Sequence, residues 1–111
     1  MIDSRLEREV TLLHERICPG FADPKRVLII YLLAERQMCV NEMVGELGLP
    51  QSSVSRHLRV LREHGMVQTE RRGTSVYYTL TDARLVQALD LLRAVLASQI
   101  AAAVDLARSL D

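Results

Sequence analysis

The stretch Asn41 to Gly65 reads NEMVGELGLPQSSVSRHLRVLREHG, and its spacing predicts two helices joined by a tight turn. In the second helix Val54, Leu58 and Leu61 recur at i, i+4 and i+7, which lays one narrow apolar stripe along a helix of period 3.6. Ser52, Arg56 and Arg59 point away from that stripe, flanked by Gln51, Ser55 and Arg62. Hydroxyls reach phosphates or base edges, glutamine can bond adenine twice, and arginine forks onto guanine. Such a face suits the major groove of DNA. A solvated surface helix is the plainer alternative, and this stretch alone does not separate the two.

Downstream the period changes. Gly65 suits a left-handed helix terminus, and the segments Met66 to Arg72 and Ser75 to Leu80 are rich in β-formers on either side of a Gly-containing turn. They predict a β-hairpin with Val76, Tyr78 and Leu80 toward the core and Arg71 and Arg72 at the tip. An arginine-bearing hairpin directly after a helix-turn-helix can reach a neighbouring groove or phosphate run; otherwise it is an ordinary solubilising tip. Upstream, Leu6, Val10, Leu13 and Ile17 predict a helix from Asp3 to Ile17, ended by Pro19 and Gly20. Asp23 and Pro24 open a second helix, to about Glu35, whose Val27, Leu28, Ile30, Tyr31, Leu32 and Leu33 mark it as the central buried element. Asn41 is expected to cap a short third helix, Glu42 to Leu47, stopped by Gly48.

With 111 residues the chain is read as one domain, 1–111, poor in aromatics and suited to a partner subunit. Net charge is zero, so charge is read regionally: from Gln51 to Ser75 five arginines stand against two glutamates, a net of +3 that the remainder balances. The N-terminal segment lacks the apolar core of a signal peptide. No apolar run is expected to reach membrane-spanning length, with Ser98 and Gln99 interrupting the longest. A cytoplasmic location, no membrane partner and free thiols at Cys18 and Cys39 follow as expectations. No phosphate loop, nucleophile elbow or purposeful carboxylate pair supports an enzyme, and Ser52, Ser53, Ser55 and His57 on one helix point in divergent directions.

From Asp82 to about Leu110, Leu85, Leu89, Leu92, Leu96, Gln99, Ala103, Leu106 and Leu110 recur in alternating 4 and 3 spacings, a heptad seam broken only at Gln99. That is more apolar surface than a small core can cover, and it predicts an interface. A two-fold symmetric homodimer reading an imperfect inverted repeat in double-stranded DNA is the expectation; a matching stripe recurs on Leu6, Val10, Leu13 and Ile17.

The segments ADPKRVLIIYLL, QSSVSRHLRVLREHGMV and RRGTSVYY, in that order and ahead of one long helix, resemble the ArsR family of dimeric winged helix-turn-helix repressors over nearly the whole chain. The resemblance implies a mainly α fold of five helices with a small β-hairpin wing. It assigns residues 41–65 to the helix-turn-helix, 66–80 to the wing, and 1–18 and 82–110 to dimerisation. Gln51, Ser52, Ser53, Ser55 and Arg56, with Arg59 added from the periodicity, would then read DNA beside a wing of Arg71, Arg72 and Thr74. His57 matches the family pattern SRHL but lies beside the apolar stripe, which favours packing. Pro50 departs from relatives in which a serine would cap the helix.

Many family members bind thiophilic or transition metals, and the resemblance implies a repressor released from its operator by a signal such as a metal or metalloid ion or thiol oxidation. One common site uses two cysteines in a segment matching QMCVNEM; here Cys39 is kept and Asn41 stands in place of the second. No histidine lies beyond His64, so a site on the final helix finds no ligands. His14 and Cys18, four apart on one helix, with Cys39 of the same chain or of a partner copy, are the candidate sensing set; buried or solvated side chains without a sensing role are the alternative. A repressor without a ligand, and a winged helix that binds proteins instead of DNA, are the other readings.

Overall fold

The computed structural model describes residues 1–110. The elements follow as α1 (Ser4–Arg16), α2 (Pro24–Glu35), α3 (Val40–Leu47), α4 (Gln51–Glu63), β1 (Val67–Arg72), β2 (Ser75–Leu80) and α5 (Arg84–Ser109), with a turn of 3-10 helix, Cys18–Phe21, between α1 and α2. The five helices and the hairpin are those the spacing predicts. Asp23 accepts the Lys25 backbone N–H at 2.8 Å ahead of Pro24, as a capped helix with proline at its first position requires.

At α3 the expected cap is displaced. Val40, not Glu42, is the first helical residue, and Cys39 rather than Asn41 holds the cap position. Glu42 supplies the reason: its carboxylate accepts the Cys39 backbone N–H at 3.2 Å and the Arg36 guanidinium at 2.6 Å, so the third helical residue reaches back over the start of the helix.

The core gathers Ile29, Ile30 and Leu33 of α2, Met43 of α3, Val54, Leu58 and Leu61 of α4, Met38, Met66 and Val67 from the connections and β1, and Leu89 of α5. Within α2 the apolar belt is narrower than expected, since Leu28 is 53% exposed. The hairpin is antiparallel, pairing Val67 with Leu80 through Arg72 with Ser75. Tyr78 and Leu80 pack against the core as expected, whereas Val76, nearer the tip, is half-buried outside it. Met38 and Tyr78 exchange both backbone hydrogen bonds, at 3.2 and 2.8 Å, adding a third rung that fastens the loop before α3 to the wing.

Helices α1 and α5 stand apart from this core. No residue of α1 is buried, and beyond Leu89 every described residue of α5 is exposed. The Cα radius of gyration is 17.6 Å, against about 13 Å for a compact domain of this length. Leu85 packs against the protomer's own core and Leu89 belongs to it. These two leucines, expected at a dimer seam, therefore serve the protomer, because the first two turns of α5 lie over α2; the unclaimed seam begins at Leu92. By length and composition the 26 residues of α5 would suffice to cross a membrane. That corrects the expectation that no apolar run is long enough: Ser98 and Gln99 interrupt the run without offsetting the leucines, valines and alanines around them.

Two glycines give opposite expectations for stability. A Cβ at buried Gly20 would fall 2.1 Å from the Met66 sulfur, while one at Gly45, on the exposed side of α3, would meet nothing within 4 Å. In chemical denaturation Gly20→Ala should lose about 1–3 kcal/mol through overpacking, and Gly45→Ala should gain about 0.5–1 kcal/mol from helix propensity. An unchanged midpoint for Gly20→Ala would contradict this packing.

Candidate nucleic-acid interface

Helix α4 divides into two faces. Val54, His57, Leu58 and Leu61 are buried, whereas Gln51, Ser52, Ser55, Arg56, Arg59 and Arg62 are exposed and Ser53 is half-buried. The apolar stripe therefore fixes the helix from behind and leaves its hydroxyls, amide and guanidinium groups on one outer surface. None of Arg56, Arg59, Arg62 and Arg71 enters an ion pair among the described residues, so their charge is left to act on whatever approaches.

Pro50 occupies the cap position and contributes no side-chain hydrogen bond. Its carbonyl instead accepts from the backbone N–H groups of Ser53 and Val54, at 3.0 and 3.1 Å. The amides of Gln51 and Ser52 stay open at the electropositive end of the helix, where an anion is favoured. The turn from α3 passes through Gly48 at φ 65°, whose N–H bonds to the Val44 carbonyl at 2.9 Å. A side chain would resist that backbone angle.

At the wing the two-residue loop Gly73–Thr74 starts with φ 61° at the glycine, which suits a tight hairpin turn. Arg72 is held on one face of the ribbon, with its guanidinium 3.5 Å from the Glu70 carboxylate and 5.4 Å from the centre of the Tyr77 ring. Arg71 projects from the other face, paired in register with Val76. The two wing arginines are thus unequal: one is braced, one unengaged. Gln51 and Thr74 line a common cleft of about 200 Å³ with Cys39, Val40, Asn41, Ser75 and Val76, so the start of α4 and the wing tip are neighbours.

His57 is the one polar side chain buried among the described residues, 3% exposed, and the expectation that it packs is met. Its Nδ1 lies 3.2 Å from the Arg26 guanidinium, which also donates to the carbonyls of Pro19 at 2.9 Å and Gly20 at 3.3 Å. Burial holds the imidazole below the usual histidine range; Asp23 opposes this, and Arg26, Arg56 and Lys25 reinforce it. Sequence patterning misses Arg26 altogether, because a lone basic residue near the start of α2 carries no signal of a contact 31 residues away.

The candidate sensing residues are not assembled. His14 and Cys18 are exposed at one end of α2, while Cys39 lies at the other, half-buried beside α3. Twelve helical residues separate the two ends, about 18 Å, and among the described residues no group of three or more His, Cys, Asp or Glu is placed to hold a metal ion. The residues of one protomer do not fit a thiophilic metal or metalloid ion. Cys39 instead sits at the cap of α3, its backbone N–H donating to the Glu42 carboxylate at 3.2 Å.

Residues 23–69 match the family described as bacterial regulatory protein, arsR family. An HTH-type transcriptional regulator of Methanocaldococcus jannaschii is 38% identical over 76 residues, which cover 68% of this chain and 85% of that protein. The transcriptional repressor SmtB of Mycobacterium tuberculosis is 40% identical over 78 residues, 70% of this chain and 58% of the relative. Among solved structures, the transcriptional repressor BigR from Xylella fastidiosa superposes with a TM-score of 0.73 at 27% identity, covering 86% of this chain and 96% of BigR. The matched stretch runs from the cap of α2 through the helix-turn-helix into β1, and the chain belongs to the ArsR family of winged helix-turn-helix, DNA-binding transcriptional repressors.

Proposed function

We propose that two copies of this chain form a homodimer that represses transcription by gripping an imperfect inverted repeat. In each copy α4 lies in a major groove and the wing reaches the adjacent backbone. The observation that carries this reading is the division of α4: four side chains buried on one face and three unpaired arginines, three serines and a glutamine on or beside the other. Gln51, Ser52, Ser53, Ser55, Arg56 and Arg59 take the base edges and nearby phosphates, and Arg71, Arg72 and Thr74 follow the backbone beyond them. The dimer rests on the uncovered stripes of Leu6, Val10 and Leu13 on α1 and of Leu92, Leu96 and Ala103 on α5. Although α5 is long enough for a bilayer, Leu85 and Leu89 at its start are committed to a packed core, and Asp90, Arg93, Asp105 and Arg108 punctuate it. A second α5 covers such a face better than lipid does. The chain then acts where the DNA is, in the cytoplasm.

Release by a signal belongs to the same reading, and its thiol branch narrows to Cys39. That thiol shares a cleft with Gln51 and Thr74, so an oxidised or modified sulfur there would crowd the junction of reading helix and wing.

Both branches are measurable on a duplex selected from random-sequence DNA by the wild-type protein. Arg56→Ala and Arg59→Ala should each weaken binding by about 1–3 kcal/mol, and the salt slope should fall by about 0.9 for every phosphate that is no longer neutralised. Unchanged affinity and slope in both variants would sink the assignment of α4. Peroxide should weaken binding by the wild type and by Cys18→Ser but not by Cys39→Ser; a wild type indifferent to peroxide would remove the thiol branch and leave DNA binding untouched.

A further inference from the structure

Arg26 lies outside the surface assigned to DNA, yet its guanidinium joins three groups: the carbonyls of Pro19 and Gly20 in the 3-10 turn and the Nδ1 of His57 on the buried face of α4. This connection is long in sequence and short in space, and it fastens α4 to the floor of the domain one residue from Arg56. We propose that Arg26 and His57 form a positioning clamp that sets the recognition helix for DNA, and that protonation of His57 opens it, making operator affinity fall in mild acid.

Arginine has donors only, so a 3.2 Å contact between its guanidinium and Nδ1 makes Nδ1 the acceptor and puts the single proton of a neutral imidazole on Nε2. Nε2 is itself buried and has no hydrogen-bond partner in the protein, so the ring is held from one side. Taking a proton from solvent places it on Nδ1. The acceptor is then gone, and an imidazolium faces a guanidinium at contact distance in a site that is 3% exposed. Of the charged groups around the ring, Asp23 favours the imidazolium, while Arg26 and Lys25 of the same helix and Arg56 of α4 oppose it. Burial opposes it further.

These groups decide the direction of the pH dependence. Unfolded, the histidine titrates near pH 6.5; clamped, it takes its proton only at lower pH. The clamp is therefore fully present above about pH 6.5 and is lost progressively below that value. Bulk electrostatics run the other way, since acid makes the protein more cationic and strengthens phosphate attraction. Decline in acid is thus a signature that a general charge effect does not produce.

The clamp rests on α4 being the DNA-reading helix, and Arg56→Ala tests that premise separately. On the selected duplex, followed by fluorescence anisotropy from about pH 7.5 to about pH 5.5, wild-type affinity should fall progressively toward the acid end, by less than about tenfold because the clamped ring takes its proton only below about pH 6.5. His57→Asn keeps an acceptor near Nδ1 without a titrating group, and its affinity should change little over the same range. Arg26→Lys keeps the charge but cannot fork onto three acceptors; it should bind more weakly at neutral pH while its circular dichroism stays that of the wild type. Parallel pH profiles for wild type and His57→Asn, or full affinity in Arg26→Lys, would overturn the clamp while leaving the α4 assignment standing, provided Arg56→Ala still weakens binding. Nitrogen-15 NMR of labelled histidine in the unmodified protein gives an answer that depends on no variant. The Nε2–H tautomer at neutral pH is expected, and a proton on Nδ1 there would refute the clamp.

Discussion

Everything in this molecule depends on burying one side of α4. Val54, Leu58 and Leu61 are at most 1% exposed, and they pack with α2, α3 and the start of the wing into a single cluster. That packing sets which face of the helix turns outward, so the direction of its outer side chains is decided from inside. Helices α2 and α3 serve largely as the seat, and the turns at Gly48 and Gly65 deliver the chain into and out of it with left-handed backbone angles. The wing is seated by the same means. Thr81 donates its hydroxyl to the Gly65 carbonyl at 2.7 Å, and Met38 pairs with Tyr78, so hairpin and helix are fixed to one frame.

A second constraint is the imbalance between core and chain. The core is small and holds Met38, Met43 and Met66 where a larger protein would place aromatics. Beyond it α1 and α5 carry apolar side chains that no element of the protomer covers: Val10 and Leu13 are each 52% exposed, Leu92 61% and Ile100 56%. Exposed stripes of this regularity on long helices are the surfaces that helices cover with other helices. The proposed two-fold dimer would use this deficit, because the faces that lack partners in one copy are the ones that would set the spacing between two copies of α4.

Much of this is legible from residue order alone. The 3.6-residue stripe of α4 and the switch to β-formers after Gly65 point to the helix-turn-helix and the wing, because both are local patterns with strong periodicity. What escapes is non-local or ambiguous. Leu89 and Leu92 sit in the same repeat, and nothing in spacing says that one turns to the protomer's own core and the other to the outside. Asn41 resembles a cap by residue type, yet the reach of Glu42 back to Cys39 moves the boundary. His57 is recognisable as a packed residue, but its partner Arg26 is not, since a hydrogen bond between helices leaves no trace in either helix's pattern. The separation of Cys18 from Cys39 follows from the length of α2, and two cysteines in a sequence do not disclose it.

In the proposed dimer one seated helix face, presented twice, would meet DNA at two places. Hydroxyl-radical footprinting of the selected duplex measures this directly. Two symmetric patches of protection should appear, their centres separated by about one helical turn, roughly 10 base pairs or 34 Å, with both patches fading together as protein is diluted. A single patch that persists at full strength on an isolated half-site would contradict it.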